Sequence, residues 1–178
     1  TAPVSVTLFE VGLGDNVRSP EGAPLGSLAT QELEKALKLE KKVRVAMFSR
    51  THPAIRRAVS EGSIPNTFLL PPFTGRAGGE YKAITLGRLV RAEFCIAVAI
   101  ERFSYNSEQN TSTMEIIVEI TNIKTGKLQG SLAMTINGTE ENIVDGAKSA
   151  VQSFAQTASN QVLAMIFAPE KDDGRKER

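Results

Sequence analysis

A chain of 178 residues, 41% hydrophobic and 23% charged, has the length and composition of one globular domain with a real core. The net charge of +1 gives no overall field that would attract nucleic acid or an anionic membrane, and no apolar run approaches the ~20 residues that a membrane helix needs. The single cysteine, Cys95, excludes an internal disulfide, and with only one histidine beside it the usual zinc sites are excluded too.

The predicted elements alternate between strand and helix through the first 62 residues. In chain order they are a strand at 3–14, a helix at 23–41, a short strand at 42–49 and a second helix at 50–62. The strands alternate apolar and polar side chains, whereas the helices place apolar residues three or four positions apart. Within the first strand the alternation changes phase at Leu8 and Phe9, which predicts a β-bulge at that point.

Residues 63–80 (SIPNTFLLPPFTGRAGGE) contain three prolines and three glycines, which predicts a long irregular segment. Four of its residues are nevertheless large and apolar, namely Phe68, Leu69, Leu70 and Phe73. Irregular segments of this length are usually functional or disordered, and disorder usually comes with few large apolar groups. These side chains either tuck under the core or form an exposed contact patch. We predict that part of the patch is exposed and binds a protein partner or a second copy of the chain.

Residues 92–106 (AEFCIAVAIERFSYN) follow a predicted helix at 80–90 and are apolar on both faces, as expected for the central strand of a sheet. One face carries only small side chains, those of Cys95, Ala97 and Ala99, so a helix can pack close to it. A polar connector then leads to the next strand.

Residues 114–137 form a predicted β-hairpin. Its first strand places the apolar residues Met114, Ile116, Val118 and Ile120 on one face. Glu115 and Glu119 fall on the opposite face, which we expect to be solvated. Gly126 supplies the positive φ that a short hairpin turn requires.

The last helix is predicted to begin at Thr139 as its cap and to carry an apolar stripe as far as Phe167. For the helix at 50–62, the expected cap is Ser49 or Thr51. Residues 169–178 form a mixed-charge tail that is predicted to be disordered, so a single domain is expected at 1–168.

Five stretches of the sequence carry a family resemblance. They are LATQELEKAL at 28–37, KVRVAMFSR at 42–50, PAIRRAVSEG at 53–62, LGRLVRAEFCIAVAIERF at 86–103 and the Thr125-Gly126-Lys127 turn. Together they resemble the family shared by the curli secretion-channel lipoprotein, the outer-membrane lipoprotein activators of penicillin-binding proteins and the amino-terminal domain of the TolB translocation protein. The resemblance covers most of residues 4–167. It implies an α/β (α+β) fold like that of an anticodon-binding domain, with a mixed sheet of about five strands, a C-terminal β-hairpin and flanking helices.

No pattern in the sequence predicts a catalytic, cofactor or metal site. GLGDN at 12–16 lacks the third glycine of a dinucleotide-binding fingerprint, and TGRAGGE at 74–80 lacks the Gly-Lys-Ser/Thr ending of a phosphate loop. His52 has no nucleophile or carboxylate near it in sequence, so we expect it to be a surface or capping residue. Cys95 lies among apolar strand residues, which is typical of an inert buried thiol.

The segment from Lys35 to Arg57 is strongly basic. Its eight basic residues are Lys35, Lys38, Lys41, Lys42, Arg44, Arg50, Arg56 and Arg57, and its acidic residue is Glu40. Such a patch can bind an anionic polymer or nucleic acid, and it can equally be an ordinary solvated surface.

The resemblance therefore implies a non-enzymatic protein-interaction or assembly domain of the bacterial cell envelope, periplasmic or associated with the outer membrane. Its expected partner is an envelope protein or a second copy of itself, with no small-molecule substrate or cofactor. The alternative is a binder of anionic polymer or nucleic acid that uses the basic segment.

Overall fold

The computed structural model describes residues 2–169, so the predicted tail at 169–178 lies, apart from Pro169, outside the described residues. The strands are β1 (Val4–Leu8), β2 (Gly12–Leu13), β3 (Val43–Met47), β4 (Arg76–Ala77), β5 (Glu80–Tyr81), β6 (Phe94–Asn106), β7 (Thr111–Asn122) and β8 (Lys127–Thr139). The helices are α1 (Leu25–Lys38), α2 (Pro53–Ser60), α3 (Lys82–Leu89) and α4 (Ile143–Ile166), and a 3₁₀ turn lies at Asn66–Leu69.

The main sheet is mixed, in the order β3-β1-β6-β7-β8, with the short β2 also beside β6. β1 is parallel to both β3 and β6, whereas β6, β7 and β8 form an antiparallel meander. The predicted fold class, the central strand and the C-terminal hairpin are all confirmed. The hairpin turns at Gly126, whose φ of +69° has the positive sign that the sequence predicted.

The predicted bulge in the first strand is confirmed by the register against β6. Leu8 lies opposite Ile96, and the next paired residues are Gly12 and Ala99. Four steps along the first strand therefore match three steps along β6. The extra residue separates β1 from β2 and accounts for the change of phase at Leu8 and Phe9.

Two layers cover opposite faces of the sheet, and each has its own apolar cluster. We call α1 with α4 the helix layer, and α2, α3 and residues 63–80 the loop layer. In the loop layer, α3 lies close to β6: a Cβ added to Gly87 would come within 2.6 Å of the Cys95 Sγ. The small side chains of β6 thus allow the close helix packing that the sequence predicted.

The predicted caps Ser49 or Thr51 and Thr139 are wrong, whereas the capping role expected of His52 is confirmed. His52 caps α2, because its Nδ1 accepts a hydrogen bond of 3.1 Å from the Ala54 N–H. Asn142 caps α4, where its Oδ1 accepts a hydrogen bond of 2.9 Å from the Asp145 N–H. Thr139 cannot serve, because it is still paired with Thr111 at the end of β8 and the chain turns only after it.

Candidate interaction surface

The 63–80 segment is anchored to the sheet by Phe73, which is 1% exposed. Its ring stacks on Phe9 with the centroids 4.8 Å apart, and it lies 5.4 Å from the ring of Phe48. These two partners follow β1 and β3 directly. Phe73 thus ties the segment to the ends of two parallel strands, and in this conformation it belongs to the core of the loop layer.

Lys82, the first residue of α3, holds the backbone of the same segment. Its Nζ donates to the carbonyl oxygens of Leu70 at 2.6 Å, Pro72 at 3.1 Å and Thr67 at 3.4 Å. An ammonium group has three N–H donors, so the three carbonyls use all of them. The same Nζ lies 4.7 Å from the centre of the Phe73 ring. Burial lowers the pKa of Lys82, and the carbonyls replace the water that the buried group has lost.

Glu119 holds the segment from the sheet side, and its predicted solvent exposure is wrong. The side chain is buried, and its carboxylate accepts a hydrogen bond of 2.5 Å from the Gly75 N–H. Burial raises the pKa of Glu119, and the Gly75 hydrogen bond acts in the opposite direction. The prediction failed because residues 63–80 fold over this end of β7. Glu115 lies beyond the covered part and pairs with Arg102 at 3.6 Å.

Leu70 is the large apolar side chain that the anchored segment leaves exposed, with 52% of the residue's surface accessible, and Pro71 and Pro72 beside it are also exposed. Phe68 and Leu69 are half-buried against the loop layer. Of the four predicted contact residues, one is therefore exposed, two are partly exposed and Phe73 is buried. Their role in binding a partner stays a prediction, and the surface available for it centres on Leu70.

The basic segment lies at the β3 edge of the sheet. All eight of its lysine and arginine side chains are exposed, at the end of α1, on and around β3, and on α2. Lys38 pairs with Glu34 at 3.4 Å and Arg50 with Glu10 at 3.5 Å. The eight residues are spread over α1, β3, α2 and the connections between them, and Lys35 also lines the groove between α1 and α4.

The remaining candidates for chemistry have structural roles. His52 uses its Nδ1 as a helix cap. Burial raises the pKa of the Cys95 thiol to about 12, which removes the thiolate that a nucleophile needs. Gly12 and Leu13 pair with β6 as β2, and the TGRAGGE stretch contains the small β4–β5 hairpin.

Among residues 2–169, no three His, Cys, Asp or Glu side chains are grouped so that they could hold a metal ion. Within the same range, no helix combines the length and the apolar character that crossing a membrane would require.

Solved structures with the same fold include two that cover nearly the whole chain. The PelC dodecamer from Paraburkholderia phytofirmans is 14% identical, with a TM-score of 0.54 over 96% of this chain and 92% of its own. Protein XCC0632 from Xanthomonas campestris, of family DUF330, is 10% identical, with a TM-score of 0.58 over 92% of this chain and 86% of its own. At these identities the likeness is one of fold.

TolB from Acinetobacter baumannii is also matched, at 9% identity and a TM-score of 0.46 over 94% of this chain and 29% of its own. The PelC and XCC0632 structures confirm the resemblance predicted from the sequence as a likeness of fold. No family model matches the sequence, and no curated protein matches it.

Proposed function

We propose that this protein is a non-enzymatic component of the cell envelope that acts by binding another protein or further copies of itself. The envelope setting, periplasmic or at the outer membrane, is supported by the family resemblance of the sequence. An association role is supported by the anchored 63–80 segment, which is the observation that carries the proposal.

The segment is built to present an apolar contact at low entropic cost. Lys82 fixes three of its carbonyl groups, and Glu119 fixes the Gly75 N–H. Leu70 is therefore held outward on a backbone that has little freedom left to lose when a partner binds. An exposed leucine on a loose loop would give up more conformational entropy in the same contact.

Homomeric assembly is one form that this association takes in the fold. PelC, which shares the fold, is a dodecamer. We therefore include a second copy of the chain as a partner alongside an envelope protein, with the exposed apolar surface around Leu70 as the proposed contact.

The experiment compares Leu70→Ser with Leu39→Ser, a matched control because Leu39 is 81% exposed and lies elsewhere, just after α1. We expect Leu70→Ser to weaken association at least about tenfold, as for a central apolar contact. Leu39→Ser should leave association unchanged. The measurements are sedimentation of the purified chain and site-specific photo-crosslinking from position 70 or 39 in the cells that produce the protein.

Equal association of the Leu70→Ser and Leu39→Ser variants would contradict the role of Leu70.

Binding of an anionic polymer through the basic segment is the second candidate, favoured by its eight exposed side chains. Salt separates the two, because polymer binding falls steeply with ionic strength whereas an apolar contact hardly changes.

A further inference from the structure

Strand β8 forms one edge of the sheet and leaves its outer side unpaired. Its register with β7 runs without interruption from Gly130 to Thr139, after one irregularity near the turn. In an antiparallel pair, alternate residues direct their N–H and C=O groups away from the partner strand. Among residues 2–169, the strand that pairs with β8 is β7, and no other backbone segment hydrogen-bonds to its outer side.

The edge strand beyond Lys127 and most of the helix beside it carry no charged residue, and the nearest solvent-accessible charge on β7 is Glu115, opposite Thr135. Residues 128–139 of β8 and residues 149–169, most of α4, contain no Lys, Arg, Asp or Glu, in a chain that is 23% charged. Natural edge strands are normally protected by charged side chains, by proline or by strong bulges. The β3 edge follows that rule, since it is five residues long and basic. The β8 edge departs from it over about 40 Å of strand.

Helix α4 extends this uncharged surface on one side of the edge. It packs over β7 and β8, and α1 lies beside it toward the β3 edge. Ser153, Thr157, Gln161 and Ala164 are exposed and share one side of α4 by their spacing. The groove with α1 is lined by other residues, among them Gln152 and Ser159. The exposed stripe therefore faces the β8 side of the domain.

We propose that β8 pairs with β8 of a second copy, antiparallel about a two-fold axis perpendicular to the sheet. Such an axis keeps each face of the sheet on the same side in both copies. The face of β8 that α1 and α4 do not cover then continues from one copy to the next, and on the other face the two α4 stripes meet above the β8–β8 contact. An uncharged surface meets its own copy without like-charge repulsion, whereas a charged partner would gain no complementary contact from it. The second copy is therefore the occupant that the surface fits.

The pattern of β8 suits this symmetry. With the axis at Ala133, Ser131 lies opposite Thr135 on the face of β8 that α1 and α4 do not cover. On the helix side, Leu132 lies opposite Met134. Polar side chains meet polar ones and apolar side chains meet apolar ones.

This inference rests on the proposed function, in that it names a second copy as one partner, but it uses a different surface. Leu70 belongs to the loop layer, and the α4 stripe belongs to the helix layer on the opposite face. Changes at the two surfaces can therefore be separated.

The test measures the self-association of the full chain by sedimentation over a range of concentrations. Ala133→Lys places a charge at the edge, and Ile117→Lys is the matched control, because Ile117 is the β7 partner of Ala133 and lies one strand inward on the same face. We expect Ala133→Lys to weaken dimerisation by at least about tenfold. Ile117→Lys should leave the dimer intact. Leu70→Ser should leave this β8 dimer intact too, because the association that it weakens is a separate one, of β8 dimers with one another or with an envelope protein.

A cysteine series checks the geometry independently of stability. A single cysteine at 131, 133 or 135 should form a disulfide dimer most rapidly at the position nearest the axis, while the buried Cys95 stays unreactive. A chain that remains monomeric at all concentrations would overturn the inference, as would equal rates at the three positions. A dimer lost with Leu70→Ser and kept with Ala133→Lys would overturn it too, and would leave the proposed function standing.

Discussion

The two layers that cover the sheet are held by different means. In the helix layer, the buried faces of α1 and α4 consist of apolar and small residues at regular helical spacing. The loop layer has two helices of eight residues each and an irregular segment. Among residues 2–169, both buried charged side chains contact this segment, Lys82 from α3 and Glu119 from β7. Regular elements satisfy their own backbone groups, whereas an irregular segment needs side chains to do so. Buried charge here serves to fix a loop.

The largest effect should come from Phe73→Ser, which tests whether the loop layer has a core of its own. Removing a buried aromatic side chain and leaving a hydroxyl in its place should lower the free energy of unfolding by about 3–5 kcal/mol. Leu70→Ser, three residues away, should change it by less than about 0.5 kcal/mol. Urea unfolding of the two variants measures both values. Similar values for the pair would mean that Phe73 is not anchored against Phe9 and Phe48.

A smaller effect is expected from Lys82→Met, which keeps an unbranched side chain and removes the three donors. The carbonyls of Thr67, Leu70 and Pro72 would lose their partner, at a cost of about 1–3 kcal/mol. Amide hydrogen exchange should become faster in residues 66–75 and stay unchanged in α4. An equal rise of the exchange rate in both layers would show that Lys82 stabilises the whole domain rather than the loop layer alone.

The smallest effect, within about 1 kcal/mol, is expected from Glu119→Gln, and it should depend on pH. The pKa of Glu119 is raised above 4.5 in the folded protein, so the protonated carboxyl stabilises the fold at low pH. This stabilisation is lost as the pH rises from 4.5 through the raised pKa, because the buried carboxyl then becomes charged. The glutamine keeps an acceptor for the Gly75 N–H and has no charge to bury. We therefore expect the variant to melt above the wild type at neutral pH.

That difference should close as the pH falls below 4.5, where both proteins are neutral at position 119. Melting curves across the acid range give the comparison. A variant that is less stable at neutral pH would show that the Gly75 hydrogen bond outweighs the cost of burying the charge.

The contrast between the layers also explains how much of the molecule could be predicted from the sequence. The strands of the main sheet, α1, α4 and the turn at Gly126 follow from local periods and local φ requirements, and the structure confirms them. The short strands β4 and β5 were not predicted, because they lie in the segment that was expected to be irregular. Glu119 was misplaced because its burial depends on Gly75, 44 residues away, and no periodic signal reports such a contact. The cap at Asn142 was missed because β8 ends at a position that long-range pairing sets.

The burial of Lys82, by contrast, could have been predicted from its position in the sequence. It stands four residues before the buried Leu86, on the same face of a short helix, where a solvated lysine does not belong. A lysine on an apolar helix face beside a proline-rich loop predicts a cation that holds backbone carbonyls. The composition of residues 63–80 was enough to name Leu70 as one of four candidate contact residues. Only the folded structure shows that Leu70 is exposed whereas Phe73 is buried.

The position of Cys95 gives the molecule a natural reporter. The sulfur lies between β6 and α3, against Gly87, and its high pKa keeps it as an unreactive thiol while the loop layer is closed. A thiol reagent reaches it only when α3 lifts from the sheet or the whole domain opens. The rate of alkylation at this one position therefore records how often the wild-type loop layer detaches, without a label or a substitution. Cysteines introduced on the surface for labelling can be used with Cys95 left in place.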